Sequence, residues 1–389
     1  MNPKRLRIGF IPLCDATALI VAVDKGFAAA EGLDVELVRE VSWSNVRDKL
    51  NIGLFDVAHL IAPVAIASSL GLGHVKVPIL APFGLGVNGN AITVSPELYA
   101  ALAATADGNI ADPVVSGRAL ARVVASRKAK AQDPLTFGMT FPYSTHNYHL
   151  RFWMAAGGVD PDEDVRLVVL PPPYMVDSLA HDHVDGFCVG APWNSVAVDR
   201  GIGYILHFVS DILASAAEKV LAMRRNWADD HPDTVAALLR AHHRAAQFIE
   251  DVANREEVCE IMAAPNRFDV SAEVIRRTFD GRLKVAPDGT TRTSDRYILI
   301  GREGAARPNP VHAAWLYTQM VRWRQAPLST ELLAEAKAVF RPDIYDAVVG
   351  ARPEVPHDEP KDSVGGFAGP QFDDSDLAKY LSAWQKMGG

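Results

Sequence analysis

The first hundred residues alternate strand-like and helix-like signals, and that alternation confines the chain to an α/β fold with a largely parallel sheet. Leu6 to Pro12 reads as a strand, and Asp15 to Ala30 as a helix opened by Asp15 and closed near Gly32. Leu33 to Val38 alternates apolar and polar residues as a half-buried strand does. Ser42 stands where it can cap a helix carrying Trp43, Val46 and Leu50 at helical spacing, and Asp56 to Leu60 is a short strand. The opening is predicted to be β-α-β-α-β.

A second unit is predicted between about 91 and 192. It holds a helix over Val114 to Gln132, a strand over Leu135 to Met139, a helix after Thr145, a strand over Val165 to Leu170, a helix after Pro173 and a closing strand over Asp185 to Val189. At 389 residues the chain exceeds what one core ordinarily fills, so two lobes are expected. Residues 1–90 and 193–389 form the first lobe in this reading, and 91–192 the second. The chain would then cross between lobes near 88–92 and near 190–193, both rich in Gly or Pro. Two crossings make a hinge, and a cleft between hinged lobes suits a small ligand. A long helix is expected over Asp233 to Val252, and the region from Pro353 onward reads as irregular.

Composition excludes several function classes. A net charge of −8 gives no basis for a nucleic-acid surface, which needs concentrated basic residues. The three cysteines, Cys14, Cys188 and Cys259, form no CxxC pair and suit a reducing compartment. The start at Met1 runs directly into a strand-like stretch without the apolar segment of an export signal, so a cytoplasmic location is expected. No Walker-type loop, GxSxG, HExxH or GxGxxG following a strand occurs. The run Gly84 to Gly89 lacks the helix that a phosphate loop requires. His242-His243 and His181-Asp182-His183 suggest metal ligands, but neighbouring helix residues do not share a face and no partner has zinc-like spacing. Neither catalysis, a metal nor a cofactor is expected.

Several segments carry a family resemblance. They are Gly9-Phe10-Ile11-Pro12-Leu13 with Lys25-Gly26-Phe27, Ser42-Trp43-Ser44-Asn45-Val46-Arg47-Asp48, Thr140-Phe141-Pro142-Tyr143-Ser144-Thr145-His146, Arg151 to Pro161, Gly190-Ala191-Pro192-Trp193-Asn194, and Glu218-Lys219-Val220-Leu221-Ala222. In this order they resemble the substrate-binding proteins of nitrate and bicarbonate ABC importers, a branch of the type II periplasmic-binding-protein fold. The resemblance implies two α/β lobes joined by a hinge, with the ligand cleft between them.

By the same resemblance the anion is held by Trp43, His146 and Lys219, with Asn90 in place of a family Gln and Gly190 included from its segment. Lys219 stands where bicarbonate-binding relatives have an acidic residue, which favours nitrate or nitrite. Ala191 departs from the family, where an acidic residue is common. The chemistry suits a planar, singly charged oxyanion. Lys219 supplies charge and donors, His146 and Asn90 add directed N–H groups, and Trp43 offers its indole N–H while its ring excludes solvent. A helix beginning at Trp43 adds the positive end of its dipole. Taken singly, each residue has a blander reading: Trp43 as core, His146 as a satisfied core or surface group, Lys219 as a solvated charge, and 190–193 as a turn.

The branch that the sequence most resembles is the cytoplasmic NasS-type nitrate/nitrite sensors. That implies a protein partner, an RNA-binding antitermination regulator of the NasT type, released when the anion binds. A substrate-binding component of a nitrate or bicarbonate importer is the alternative. An enzyme on the same scaffold, like the thiamine-pyrimidine synthases, would need a reactive Cys14 or His146 in the cleft.

Overall fold

Burial at every position of several central strands requires cover on both faces, and the observed layers provide it. The computed structural model describes residues 4–350 and 364–386. β1 (Lys4–Phe10), β2 (Leu33–Arg39), β3 (Val57–Ile61) and β4 (Ile79–Asn88) enter a first sheet. β5 (Asn90–Val94), β6 (Thr136–Met139), β7 (Arg166–Val169), β8 (Gly186–Gly190) and β9 (Tyr204–Phe208) build a second. β10 (Ala217–Arg224) returns to the first sheet, β11 (Arg282–Lys284) and β12 (Thr291–Thr293) pair as a separate ribbon, and β13 (Ile298–Leu299) completes the first sheet.

The first sheet runs in the order β13-β4-β10-β3-β1-β2 and the second in the order β7-β6-β8-β5-β9. β1 is parallel to β2 and β3, as the β-α-β-α-β opening predicts, and β6 is parallel to β7 and β8. β10 is antiparallel to β3 and β4, and β5 to β8 and β9, so each sheet is mixed. β3, β4, β5 and β8 are buried along their whole length.

Most expected elements are found within a few residues. The Trp43–Asn51 helix is capped by Ser42, whose hydroxyl accepts from the Asn45 N–H, and the long helix occupies Pro232–Glu250. The expected Asp15 to Ala30 helix is interrupted. Gly26 adopts φ +71°, which ends the Thr17–Asp24 helix and starts a short turn at Phe27–Ala30. Asp15 does not cap that helix but lies in a 3-10 turn, Cys14–Ala16, where it is buried.

The chain first passes from one sheet to the other at Asn88 and Gly89, between β4 and β5, both in the left-handed region. The return passage does not lie at 190–193. β9 pairs with β5, so the second sheet continues to Phe208 and the chain returns through 209–216. Residues 190–192 instead end β8 and lie against the first crossing: the Ala191 N–H donates to the Gly89 carbonyl at 2.9 Å, and the Cys14 N–H to the Ala191 carbonyl at 2.8 Å. Turn composition marks a bend without saying which sheet the next strand joins.

Asn88 laces the two true passages together. Its side-chain amide donates to the Ala214 and Arg296 carbonyls, and its Oδ1 accepts from the Ala216 N–H at 3.0 Å.

The expectation of an irregular region from Pro353 onward falls partly outside the described residues, and within 364–386 it is corrected by the Leu377–Lys386 helix. Leu377, Tyr380 and Trp384 recur at helical spacing and are buried, which is the periodicity the tail's Pro and Gly content obscured. The Trp384 ring meets Phe152 at 4.9 Å between centroids, and the Arg322 guanidinium lies 3.8 Å from its face. Among the described residues no helix is long and apolar enough to cross a membrane.

The Trp384→Ala variant is therefore expected to lose about 3–5 kcal/mol of stability, since a large buried ring leaves a cavity that neighbours only partly fill. A urea unfolding midpoint unchanged within error would show that the last helix contributes nothing to the fold.

Candidate functional site

Strand residues next to each other ordinarily face opposite sides of a sheet, yet Glu218 and Lys219 turn into one buried cluster. A bulge explains this. From Ala217 to Lys219 β10 advances two residues while β4 advances one, from Val87 to Gly86, so Glu218 is the extra residue and its direction is reset. The Lys219 Nζ lies 2.7 Å from Glu218 Oε1 and 2.9 Å from Asp15 Oδ2, and all three side chains are shut off from solvent.

Asp15 is held in turn by His59 on β3, whose Nε2 is 2.8 Å from Asp15 Oδ1. Because His59 Nδ1 accepts from the Ile11 N–H, Nε2 carries the proton and donates to the carboxylate. His146 lies in the first turn of the Thr145–Ala156 helix, which Ser144 caps by accepting from the Asn147 N–H. Its Nδ1 is 2.9 Å from Thr140 Oγ1, and its Nε2 is 3.5 Å from Glu218 Oε1.

The remaining candidates border the same cluster. Trp43, the first residue of its helix, has its ring centroid 5.4 Å from Lys219 Nζ and 5.3 Å from the His59 ring. Asn90 begins β5 directly after the crossing and pairs with Gly190 on β8. A Cβ on Gly190 would stand 3.2 Å from Asn90 Oδ1 and 3.7 Å from Asp15 Oδ2, so glycine is what lets the two sheets approach here. The five residues named from sequence thus converge on one place, where the two sheets meet.

Several polar atoms of this cluster are buried without a hydrogen-bond partner: Trp43 Nε1, both amide atoms of Asn90, His146 Nε2 and Glu218 Oε2. Unpaired buried donors cost free energy unless something accepts from them, and this many around one ammonium form a cradle for a small acceptor. The first turns of two helices, at Trp43 and at Thr145, add their positive ends. A cavity of about 600 Å³ borders Lys219 from the side of Gly84, Gly86, Arg296 and Asn309.

The charges of the cluster follow from competing effects. Burial alone would lower the Lys219 pKa, but the Asp15 and Glu218 carboxylates outweigh it and raise it, so the ammonium remains charged. Burial would raise Asp15, yet Lys219 and His59 hold it below the usual carboxylate range. Glu218 differs, because burial prevails over Lys219 and lifts its carboxyl. Burial, reinforced by Lys219, pushes His146 well below the usual imidazole value, and burial also lowers His59, so both rings are neutral. At an effective dielectric of about 20, two unit charges roughly 4 Å apart interact by about 4 kcal/mol, so none of these groups can be considered alone.

Sequence reasoning missed the countercharges. Asp15 carried only a helix-opening signal, His59 carried none, and Glu218 was part of a matched segment without a role. The enzyme alternative gains no support from Cys14, whose thiol is buried and raised well above its usual pKa, the opposite of an activated nucleophile. His242 is buried with its Nδ1 against the Leu238 carbonyl, and His181 has its Nδ1 against the Asp177 carbonyl and stacks on His183. Among the described residues no group of three or more His, Cys, Asp or Glu side chains is placed to hold a metal ion.

Comparison with known proteins agrees with this geometry. A family model described as the NMT1-like family matches residues 1–263. The chain is 32% identical over 389 residues to the nitrate/nitrite binding protein NrtA of Synechococcus elongatus, covering 97% of this chain and 85% of the relative. It is 31% identical over 387 residues to the bicarbonate transport ATP-binding protein CmpC of the same species, covering 98% of this chain but 55% of that longer protein. The crystal structure of the periplasmic nitrate-binding protein NrtA from Synechocystis PCC 6803 superposes with a TM-score of 0.86 at 30% identity, covering 98% of both chains. The expected two-sheet periplasmic-binding-protein architecture is confirmed by that superposition. The relatives are named for binding and transport, not for a catalysed conversion.

Asp15→Asn leaves Lys219 with one fewer carboxylate and is expected to cost about 3–5 kcal/mol, as breaking a buried ion pair does. The folded-state pKa of Asp15 lies below its unfolded value, so its contribution is present at neutral pH and lost as pH falls through the folded value. Denaturant unfolding across the acid range should show wild-type stability declining more steeply than that of the variant. Parallel declines would remove Asp15 from the network.

Proposed function

The chain belongs to the NMT1-like family, and we propose that its buried pocket binds a small monovalent oxyanion, nitrate or nitrite, in the manner of an importer's substrate-binding protein. The observation that carries this reading is the single ammonium of Lys219 beside the partnerless indole N–H of Trp43, the partnerless amide of Asn90 and the imidazole Nε2 of His146. Nitrate spreads one charge over three in-plane oxygens and accepts hydrogen bonds weakly. Several directed donors and one cation match it, while a phosphate or sulfate would bring more charge than the pocket offsets.

Overall similarity extends to both nitrate and bicarbonate proteins, so the choice of anion rests on the pocket itself. Lys219 argues for the nitrogen oxyanions. Trp43 encloses the ligand and adds one donor, and Gly190 keeps open the space that a side chain would fill.

The relatives support a role beside an ABC importer's membrane and ATP-binding components. The sensor reading, with a cytoplasmic location and an RNA-binding antitermination regulator as partner, draws on the three free, buried cysteines. Ligand-sensitive co-purification with such a regulator would decide for the sensor.

Calorimetry with nitrate, nitrite, bicarbonate and sulfate is expected to give heat for the first two alone. Lys219→Glu should abolish nitrate binding, and Trp43→Phe, which keeps the ring but loses the N–H, should weaken it about tenfold, the worth of one hydrogen bond near 1.4 kcal/mol. No heat with either nitrogen oxyanion would overturn the proposal, and unchanged affinity in Lys219→Glu would exclude Lys219 from the site.

A further inference from the structure

A pocket that takes an anion should present surplus positive charge, and this one does not. Within hydrogen-bond distance of the only ammonium in the cluster stand two carboxylates, Asp15 at 2.9 Å and Glu218 at 2.7 Å. With both ionised the group carries a net negative charge before any ligand arrives. Asp15 is fixed as a carboxylate by His59, which donates to its other oxygen. Glu218 has no second donor of that kind: its Oε2 is buried outside hydrogen-bond geometry, the Thr145 hydroxyl is the neutral donor acting on the carboxyl besides Lys219, and its Oε1 faces Lys219 and, at 3.5 Å, His146 Nε2. Of the two carboxylates, only Glu218 is placed to give up its charge.

We propose that the oxyanion enters this pocket together with one proton, taken from solvent and held between Glu218 and His146, so that Glu218 sets the charge the site accepts. The proposal rests on the anion reading above. The charges balance simply: the ligand adds one negative charge, and the Glu218 carboxylate gains one proton to become a carboxylic acid. The new O–H then becomes a donor at a place where an ionised carboxylate offered only acceptors. A divalent anion would need a second proton, and no second carboxylate in the cluster is free to take one. Glu218 is thus a determinant of specificity for monovalent ligands.

The groups facing Glu218 restrict what else could titrate. Against Glu218 lie Lys219 on its own strand, Asp15 on the 3-10 turn, the Thr145 hydroxyl and His146 on the Thr145–Ala156 helix, and Cys188 on β8; His59 on β3 stands behind Asp15, and His149 acts on His146 and Lys219. Lys219 is held charged, and the three histidines are held neutral by burial, His149 with its pKa lowered to about 3. Burial raises the Cys188 thiol well above its usual value, which keeps it protonated. Glu218 is the one carboxyl of the cluster that burial lifts above its ordinary value, in agreement with the geometry.

The sign follows from linkage. A ligand that binds with proton uptake loses affinity as pH rises, by about tenfold per unit where the free protein holds Glu218 ionised, and is indifferent to pH where Glu218 already carries its proton. Nitrate, a strong-acid anion, does not titrate between about pH 5 and about pH 9, so any slope in that range belongs to the protein.

The test is calorimetry of the full chain with sodium nitrate across that range, repeated at one alkaline pH in buffers of different ionisation heat. The expected result is about one proton taken up per nitrate at alkaline pH, falling toward zero in acid, with the dissociation constant rising in step. Glu218→Gln, which cannot ionise, should bind nitrate with a dissociation constant that does not change across the range and with no proton uptake at alkaline pH. Nitrate binding without proton uptake at any pH, or a Glu218→Gln profile as steep as the wild type's, would overturn the proposal while leaving the anion site intact. No nitrate binding at any pH would overturn both.

Discussion

The buried ammonium of Lys219 is the constraint around which the rest of this structure is arranged. A lysine cut off from water is tolerable only with its charge answered nearby, and here Asp15 and Glu218 answer it from two different parts of the chain. His59 orients Asp15, and the bulge in β10 turns Glu218 and Lys219 toward one another. Each of these groups lies on an element of the first sheet or the turn after β1. The second sheet contributes Asn90 and Gly190, and the helix after β6 contributes His146. The cluster is thus shared across the junction of the two sheets and is assembled only when both are in place.

That junction has a definite construction. The two passages between the sheets, at 88–89 and at 209–216, are joined side by side through the Asn88 side chain, which bonds to Ala214 and Ala216 of the return passage and to Arg296 in the loop before β13. Ala191 and Cys14 add backbone bonds across the same seam. Asn90, two residues beyond Asn88, is carried directly by it.

The cluster also shows why identity of residues does not settle the chemistry of a pocket. A lysine among donors reads as a cationic site, and its two carboxylate neighbours reverse that reading unless one of them is neutral. Asp15 and Glu218 are the same functional group at nearly the same distance from Lys219, and they are driven in opposite directions by what else they touch: His59 favours the ionised form of one, and burial with a partnerless oxygen favours the neutral form of the other.

Local signals were sufficient for much of the architecture. The strand and helix alternation gave the parallel opening of the first sheet, Ser42 and Ser144 lie where caps are needed, and the family resemblance named Trp43, Asn90, His146, Gly190 and Lys219, all of which the fold brings to one place. Three features lay beyond the sequence for the same reason, that each depends on residues far apart in the chain. β9 joins the second sheet because β5 offers it an edge, which no turn at 190–193 could reveal. The last helix exists because Trp384 finds Phe152 and Arg322 to pack on. Asp15, His59 and Glu218 became part of the site only when three separate segments enclosed them with Lys219, because the energy of a buried charge is set by its surroundings and not by its neighbours in sequence.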